Sequence, residues 1–275
     1  MRKIRLRTIW LAAGLCGLSI ALARCEETTS PQPGTAQVDR QAGGTPLARK
    51  SDDATADIVA TFSIVAIDPE TGVCGAAVAS KYPAVGNVVP YALGGVGAFC
   101  TQHYCEPAFG PQALKLLEQD KSPSDILAEL VREDRGAGGR QLAIIDRHGR
   151  TAQLNPIDAP ERSRWWGAAS GRFYACQGNT LTGSEVITAM AKAYETTEGS
   201  LADRLMAALV AGDQAGGDHR GRLAAGIVVD KPNVDKPNVG GDWLRLQVDK
   251  SDDAVTELAK KYAELVHEAK GAAGK

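Results

Sequence analysis

The sequence is short of the features that mark several large function classes. Its six cysteines do not form the two closely spaced ligand pairs of a zinc finger, so a metal centre of that kind is not expected. Its one long apolar run, Ile9 to Ala23, is shorter than the about 20 residues a stable membrane span needs. Positive charge is not in excess: 31 Lys and Arg stand against 33 Asp and Glu, a net charge of −2. Without a basic stripe, nucleic acid is excluded as the expected partner.

The amino-terminal end reads as an export signal. Arg2, Lys3, Arg5 and Arg7 precede the apolar run, and Ala21-Leu22-Ala23 is an Ala-x-Ala site that predicts cleavage before Arg24. Removing residues 1–23 with their four positive charges takes Lys and Arg from 31 to 27 against 33 acidic residues, a net charge of −6. Cys25 suggests a lipid anchor, but Arg24 before it fits a lipobox poorly. Contact with a membrane is therefore expected only during export or through a lipid at Cys25, and the location is periplasmic or extracellular. Residues 24–57 are rich in Glu, Thr, Pro, Gly, Gln and Asp. They cannot bury enough apolar surface to offset the entropy of ordering and are read as a disordered linker. Residues 58–270 form a single domain.

Within that domain the pattern predicts a hairpin of Ile58–Ala66 and Val73–Ala79 around the turn Asp68-Pro69-Glu70-Thr71-Gly72. A Gly-rich strand Gly94–Thr101 follows. Helices Phe109–Gln119 and Ser122–Glu133 come next, the latter capped by Ser122 with Pro123 in its first turn. A second hairpin, Arg140–Asp146 and Arg150–Leu154, precedes a strand at Phe173–Gln177, helices Ser184–Thr196 and Leu201–Ala211, strands Leu223–Val229 and Trp243–Val248, and a closing helix Asp252–Lys270. Hairpins outnumber crossover units, which points to an α+β fold of antiparallel sheets covered by helices. A four-layer α-β-β-α sandwich is one solution and a two-layer domain the simpler one. The tandem copies Asp230–Val234 and Asp235–Val239 make a loop. In an oxidising compartment Cys74, Cys100, Cys105 and Cys176 allow three pairings, with Cys100–Cys105 the local candidate and Cys74–Cys100 an alternative joining neighbouring strands.

Thr61 is the sharpest candidate catalytic group. A cut before it would place a hydroxyl and a free α-amine on one residue, a nucleophile with its own base. The competing reading is an ordinary β-branched strand residue. Ser80-Lys81 closes the second strand beside it. Lys81 could tune the nucleophile or hold an anion, and Ser80 could itself be a nucleophile. Gln177-Gly178-Asn179, read as a turn between strand and helix, suits an oxyanion hole through Asn179. Asp218 and Arg220, set among glycines, form a charged pair able to position a substrate or staple a loop. Thr101, Gln102 and His103 end the third strand. The Trp165-Trp166 pair is read as core.

The stretches Thr61–Ala66, Val78–Gly86, Thr101-Gln102, Phe109-Gly110-Pro111, Gln177-Gly178-Asn179 and Gly216–Gly221 together resemble a bacterial family of unknown function, domain of unknown function 1028. The resemblance implies the fold of the N-terminal-nucleophile hydrolases and, with it, cleavage of an amide or imide C–N bond. Thr61, Ser80, Lys81 and Asn179 would then form the catalytic group, and Thr101, Gln102, Gln177, Asp218 and Arg220 would bind substrate. No cofactor is implied, and the substrate is a small amide or peptide-like molecule. Dimerisation is left open. Two departures bear on substrate choice. Leu223-Ala224-Ala225 stand where the family often has Gln and Ser, and Glu106 stands where it usually has Asn. The alternative from another class is a non-catalytic envelope domain that binds a peptide or cell-wall fragment in the same cleft.

Overall fold

The computed structural model describes residues 36–37, 61–233, 235 and 243–273. The export signal, Cys25, nearly all of the linker and the residue before Thr61 lie outside the described residues. So does most of the second copy of the tandem repeat.

Strand β1 (Ala36–Gln37) falls in the stretch read as linker and pairs in parallel with β7 (Thr151–Leu154). All other pairings are antiparallel. β2 (Thr61–Ile67) and β3 (Cys74–Ser80) form the expected hairpin. Its turn is held by Asp68, whose carboxylate accepts from the Glu70 N–H at 3.0 Å and from the Thr71 hydroxyl at 2.7 Å. β4 (Pro90–Leu93) and β5 (Gly97–His103) form a second hairpin where a single strand was predicted. The physical reason lies at Gly94-Gly95. Gly95 has φ +76°, a turn conformation, and a Cβ on Gly94 would lie 2.1 Å from the Lys231 carbonyl carbon. What read as a Gly-rich strand start is a tight turn pressed against another loop.

Helices α1 (Phe109–Glu118) and α2 (Pro123–Val131) follow. Ser122 accepts from the Asp125 N–H at 3.2 Å, as its capping role predicts. β6 (Arg140–Asp146) and β7 make the third hairpin. β8 (Trp165–Gly171) is a strand that the pattern missed, since Gly, Ala and Ser dominate it and none favours strands. β9 (Tyr174–Leu181) runs four residues past its predicted end. α3 (Glu185–Thr196), α4 (Leu201–Gln214), β10 (Ala224–Asp230), β11 (Leu244–Val248) and α5 (Ala254–Ala273) complete the chain. α4 starts with a capping box between Ser200 and Asp203.

The strands form two sheets, ordered β1-β7-β6-β5-β4 and β11-β10-β3-β2-β9-β8. Alternation along β2 explains the packing. Phe62, Ile64 and Ala66 join a core with α3, α4 and α5, including Met190, Tyr194, Leu205 and Leu258. Val65 and Ile67 point the other way, into a core shared with Ala98 and Cys100 of β5 and Ala143 and Ile145 of β6. A third core joins Phe99, Leu142 and Ile144 to α1 and α2. The described residues thus form a mixed α+β domain with two sheets and five α-helices.

Cys74, Cys100, Cys105 and Cys176 are all free thiols, so neither predicted pairing forms. Cys74 and Cys100 are not on neighbouring strands, for β3 and β5 belong to different sheets. The Cys105 thiol donates instead to the carbonyls of Thr101 and Val88. Burial pushes the thiols of Cys74, Cys100 and Cys105 up to about 12 and raises that of Cys176 further.

Candidate functional site

The face of β2 that meets the other sheet changes character along its length. Val65 and Ile67 are apolar, whereas Ser63 and Thr61 are polar. The change is matched on β3, β5, β6 and β9. β3 ends this face on Ser80, β5 on Gln102, β6 begins it with Gln141, and β9 carries Gln177 and Asn179. All seven of these polar residues are buried. The result is an inter-sheet layer that is apolar at one end and polar at the other.

Thr61 sits at the head of its strand, opposite Ser80 in the β2–β3 register. Its hydroxyl donates to the Ser80 hydroxyl at 3.3 Å, and Ser80 Oγ accepts from the Tyr82 N–H at 2.8 Å. The Gln102 amide donates to the Thr61 carbonyl at 3.2 Å. Thr61 itself is 0% exposed. Three of the predicted residues therefore stand together, but within the fold rather than on an open groove.

Gln141 is the hub of the polar end. Its Oε1 accepts from Gln102 Nε2 at 2.7 Å and from Asn179 Nδ2 at 2.9 Å. Its Nε2 donates to Asn155 Oδ1 at 2.9 Å and to the Gly178 carbonyl at 2.8 Å. The Ser63 hydroxyl donates to Gln102 Oε1 at 2.6 Å. The amides of Gln102 and Gln141 are thus fully engaged. Asn179 Oδ1 and both amide atoms of Gln177 have no partner. Leaving such groups buried and unpaired costs about 1–3 kcal/mol each.

Gln177-Gly178-Asn179 is not the turn that the sequence suggested, but the middle of β9. The β8–β9 register moves from Gly167↔Gly178 to Trp165↔Leu181, two residues on one strand against three on the other. The extra residue is a β-bulge at Asn179-Thr180. Thr180 has φ +54°, an outlying conformation for a β-branched residue that costs about 1–3 kcal/mol. The bulge lies beside Thr61, because Phe62 pairs with Gly178 and Thr61 and Asn179 are next outward.

Asp218 bridges to Leu181 just past the bulge. Its carboxylate accepts from the Lys81 backbone N–H at 3.3 Å and from Arg220 Nη2 at 2.9 Å and Nε at 3.2 Å. The pair therefore staples the end of β3 to the loop before β10, which is the loop-stapling role. Lys81 joins the site through its backbone, while its ammonium lies alongside Gly221. Thr101 points to the opposite face from Gln102, and its hydroxyl accepts from the Glu106 N–H at 3.1 Å. The structure does not bring it to Thr61. His103 is buried and bonded to the Gly139 carbonyl at 2.6 Å and to the Ser163 hydroxyl at 2.9 Å, a satisfied core histidine. Trp165 and Trp166 are half-buried in β8.

Gln141, Ser63 and Asn155 escaped the sequence reading. The available signal was a glutamine and a serine at inward positions of otherwise apolar strands, Arg140–Asp146 and Thr61–Ile67. A cleft of about 510 Å³ also opens between α1 and α2, lined in part by Glu106, Phe109, Gln112, Leu130 and Glu133. It holds none of the predicted residues. Among the described residues no cluster of His, Cys, Asp or Glu is placed to hold a metal ion, and no helix is long and apolar enough to cross a membrane.

A family model described as "Family of unknown function (DUF1028)" matches residues 61–258. The chain belongs to this family. The match begins at Thr61, the first residue of β2. Among solved structures, protein SPO2555 from Silicibacter pomeroyi, described as matching the DUF1028 family model, is 29% identical with a TM-score of 0.65. That match covers 74% of this chain and 85% of that chain. Anbu (ancestral beta-subunit) from Yersinia bercovieri is 12% identical with a TM-score of 0.30, covering 76% and 96%, a likeness too weak to bear on the fold. No curated protein matches the chain.

Proposed function

We propose that this DUF1028 domain is an exported hydrolase that cleaves an amide or imide C–N bond with the Thr61 hydroxyl as nucleophile. The observation that carries the reading is the placement of Thr61 at the head of a central strand, bonded to Ser80 and facing the polar end of the inter-sheet layer. The three cores described above support an α-β-β-α layering with this end at the mouth between the sheets.

In this reading the chain is cut before Thr61. The freed α-amine takes the hydroxyl proton as Oγ1 adds to the substrate carbonyl. The C–N bond then breaks, the departing nitrogen takes that proton, and the acyl group is left as an ester on Thr61. Water hydrolyses the ester and restores the hydroxyl. Ser80 orients the nucleophile, while Lys81 and the Asp218/Arg220 pair hold the rim. Asn179 stabilises the oxyanion through its amide once that amide turns from Gln141.

One observation favours the non-catalytic binding domain instead: Thr61 is 0% exposed, and Gln102 and Gln141 satisfy each other as core groups do. Intact-mass analysis of the mature protein separates the two. The enzyme has a new terminus at Thr61 and turns over members of an amide panel. Thr61→Ala then lowers kcat/KM by about 10⁴-fold or more, whereas Ser80→Ala lowers it far less. A terminus near Arg24 with no turnover by any variant supports the binding domain.

A further inference from the structure

Most of the buried polar groups between the sheets are committed to one another. The Ser63 hydroxyl is taken by Gln102, the Gln102 amide by Thr61 and Gln141, and the Gln141 amide by Asn155 and Gly178. Gln177 stands among them, opposite Ser63 in the β2–β9 register, yet its Nε2 and Oε1 are both unpaired. Asn179 Oδ1, two residues along the same face, is unpaired as well. These three atoms are one donor and two acceptors, and all belong to residues that are 0% exposed. A structural network has no use for an amide that it leaves out, because such a group destabilises the fold without return.

We infer that Gln177 and Asn179 recognise a small ligand that presents an N–H and a C=O on one edge together with a second N–H: a primary carboxamide or a cyclic urea. The Gln177 side chain is itself a primary amide. Its N–H and C=O lie side by side, so they complete two parallel hydrogen bonds with a partner whose N–H and C=O are likewise side by side. A trans peptide bond places those groups on opposite sides and satisfies only one of the two. Asn179 Oδ1 accepts the ligand's second N–H. The two side chains spring from the same strand face roughly 7 Å apart, which suits a compact group rather than an extended peptide. The inference rests on the reading of Thr61 as the nucleophile, since a cut before Thr61 is what would open this strand end. It narrows the substrate from amides in general to those with a cis-amide edge.

Side-chain amide NMR of the ¹⁵N-labelled protein, as purified, tests it. The Gln177 NH₂ pair is assigned by its loss in Gln177→Met. Titration with 2-imidazolidinone should shift that pair. 1,3-Dimethyl-2-imidazolidinone, the same ring without N–H groups, should not. Gln177→Met and Gln177→Glu should each weaken binding at least about tenfold, with the melting temperature of Gln177→Met unchanged or raised. Thr61→Ala should still bind but lose turnover, so turnover retained by Thr61→Ala with binding intact would count against the nucleophile alone. The inference is overturned if neither ring shifts the Gln177 pair, if both shift it equally, or if Gln177→Met binds normally. A lowered melting temperature for Gln177→Met overturns it too, by giving the side chain a structural role.

Discussion

The two ends of the inter-sheet layer are built by the same strands and the same face, yet they solve opposite problems. At one end Val65, Ile67, Ala98, Cys100, Ala143 and Ile145 pack as an apolar core, and the buried Asp230, opposite Cys74 in the β3–β10 register, accepts from the Gly94 N–H at 2.8 Å. At the other, Thr61, Ser63, Ser80, Gln102, Gln141, Gln177 and Asn179 are equally buried and every polar atom needs a partner. The apolar end gains from burial in proportion to area and tolerates small changes of shape. The polar end is all-or-none, because each amide removed strands those bonded to it. It also contains the bulge and the positive φ of Thr180. Unpaired amides, a bulge and a strained β-branched residue gathered at one strand end point to a role there other than stability.

The largest expected effect tests the polar end. Gln141→Leu strands Gln102 Nε2, Asn179 Nδ2, Asn155 Oδ1 and the Gly178 carbonyl. It should cost about 4 kcal/mol in chemical denaturation. A loss under about 1 kcal/mol would mean that the network is not a unit. Ile145→Ala makes the matching cut at the apolar end, where a cavity and lost transfer energy should cost about 3 kcal/mol. Its effect on ligand binding or turnover should be nil, so a change in activity with retained fold would break the division between the two ends.

The smallest effect is a pH dependence on the helix side of the same strand ends. Asp213 of α4 is raised above its ordinary value of 3.8 by burial, more than its 2.6 Å pair with Arg222 lowers it. The folded state then holds its proton more tightly than the unfolded chain. The contribution is full below 3.8 and is lost as pH rises through the raised value. Wild type should therefore lose stability relative to Asp213→Asn as pH rises from below 3.8. A wild type that gains stability relative to Asp213→Asn over that range would contradict the sign.

Part of this organisation was legible in the residue order. The β2–β3 hairpin, the Ser122 cap, the β6–β7 hairpin and the two helices before β10 follow from local chemistry: turn residues, a capping hydroxyl, 3.6-residue periodicity. β8 was invisible because its small residues carry no strand preference. The turn at Gly94-Gly95 read as strand because glycine in a short apolar run fits either. Gln177-Gly178-Asn179 looked like a turn because Gly and Asn usually mark one, whereas the partner strands on both sides hold it extended.

What the residue order determined by itself was the grouping of candidates: Thr61 in the first strand, Ser80-Lys81 closing the second strand beside it, and a glycine-flanked Asp218/Arg220 pair. These are local facts of alternation and spacing, and the family match begins at that same threonine. Only the tertiary structure decided which of the others meet them. Gln141 and Gln102 enter because two sheets face each other, and Thr101 leaves because the next residue along a strand points to the other face. Pairing between sheets depends on contacts far apart in the chain, and no local signal encodes those.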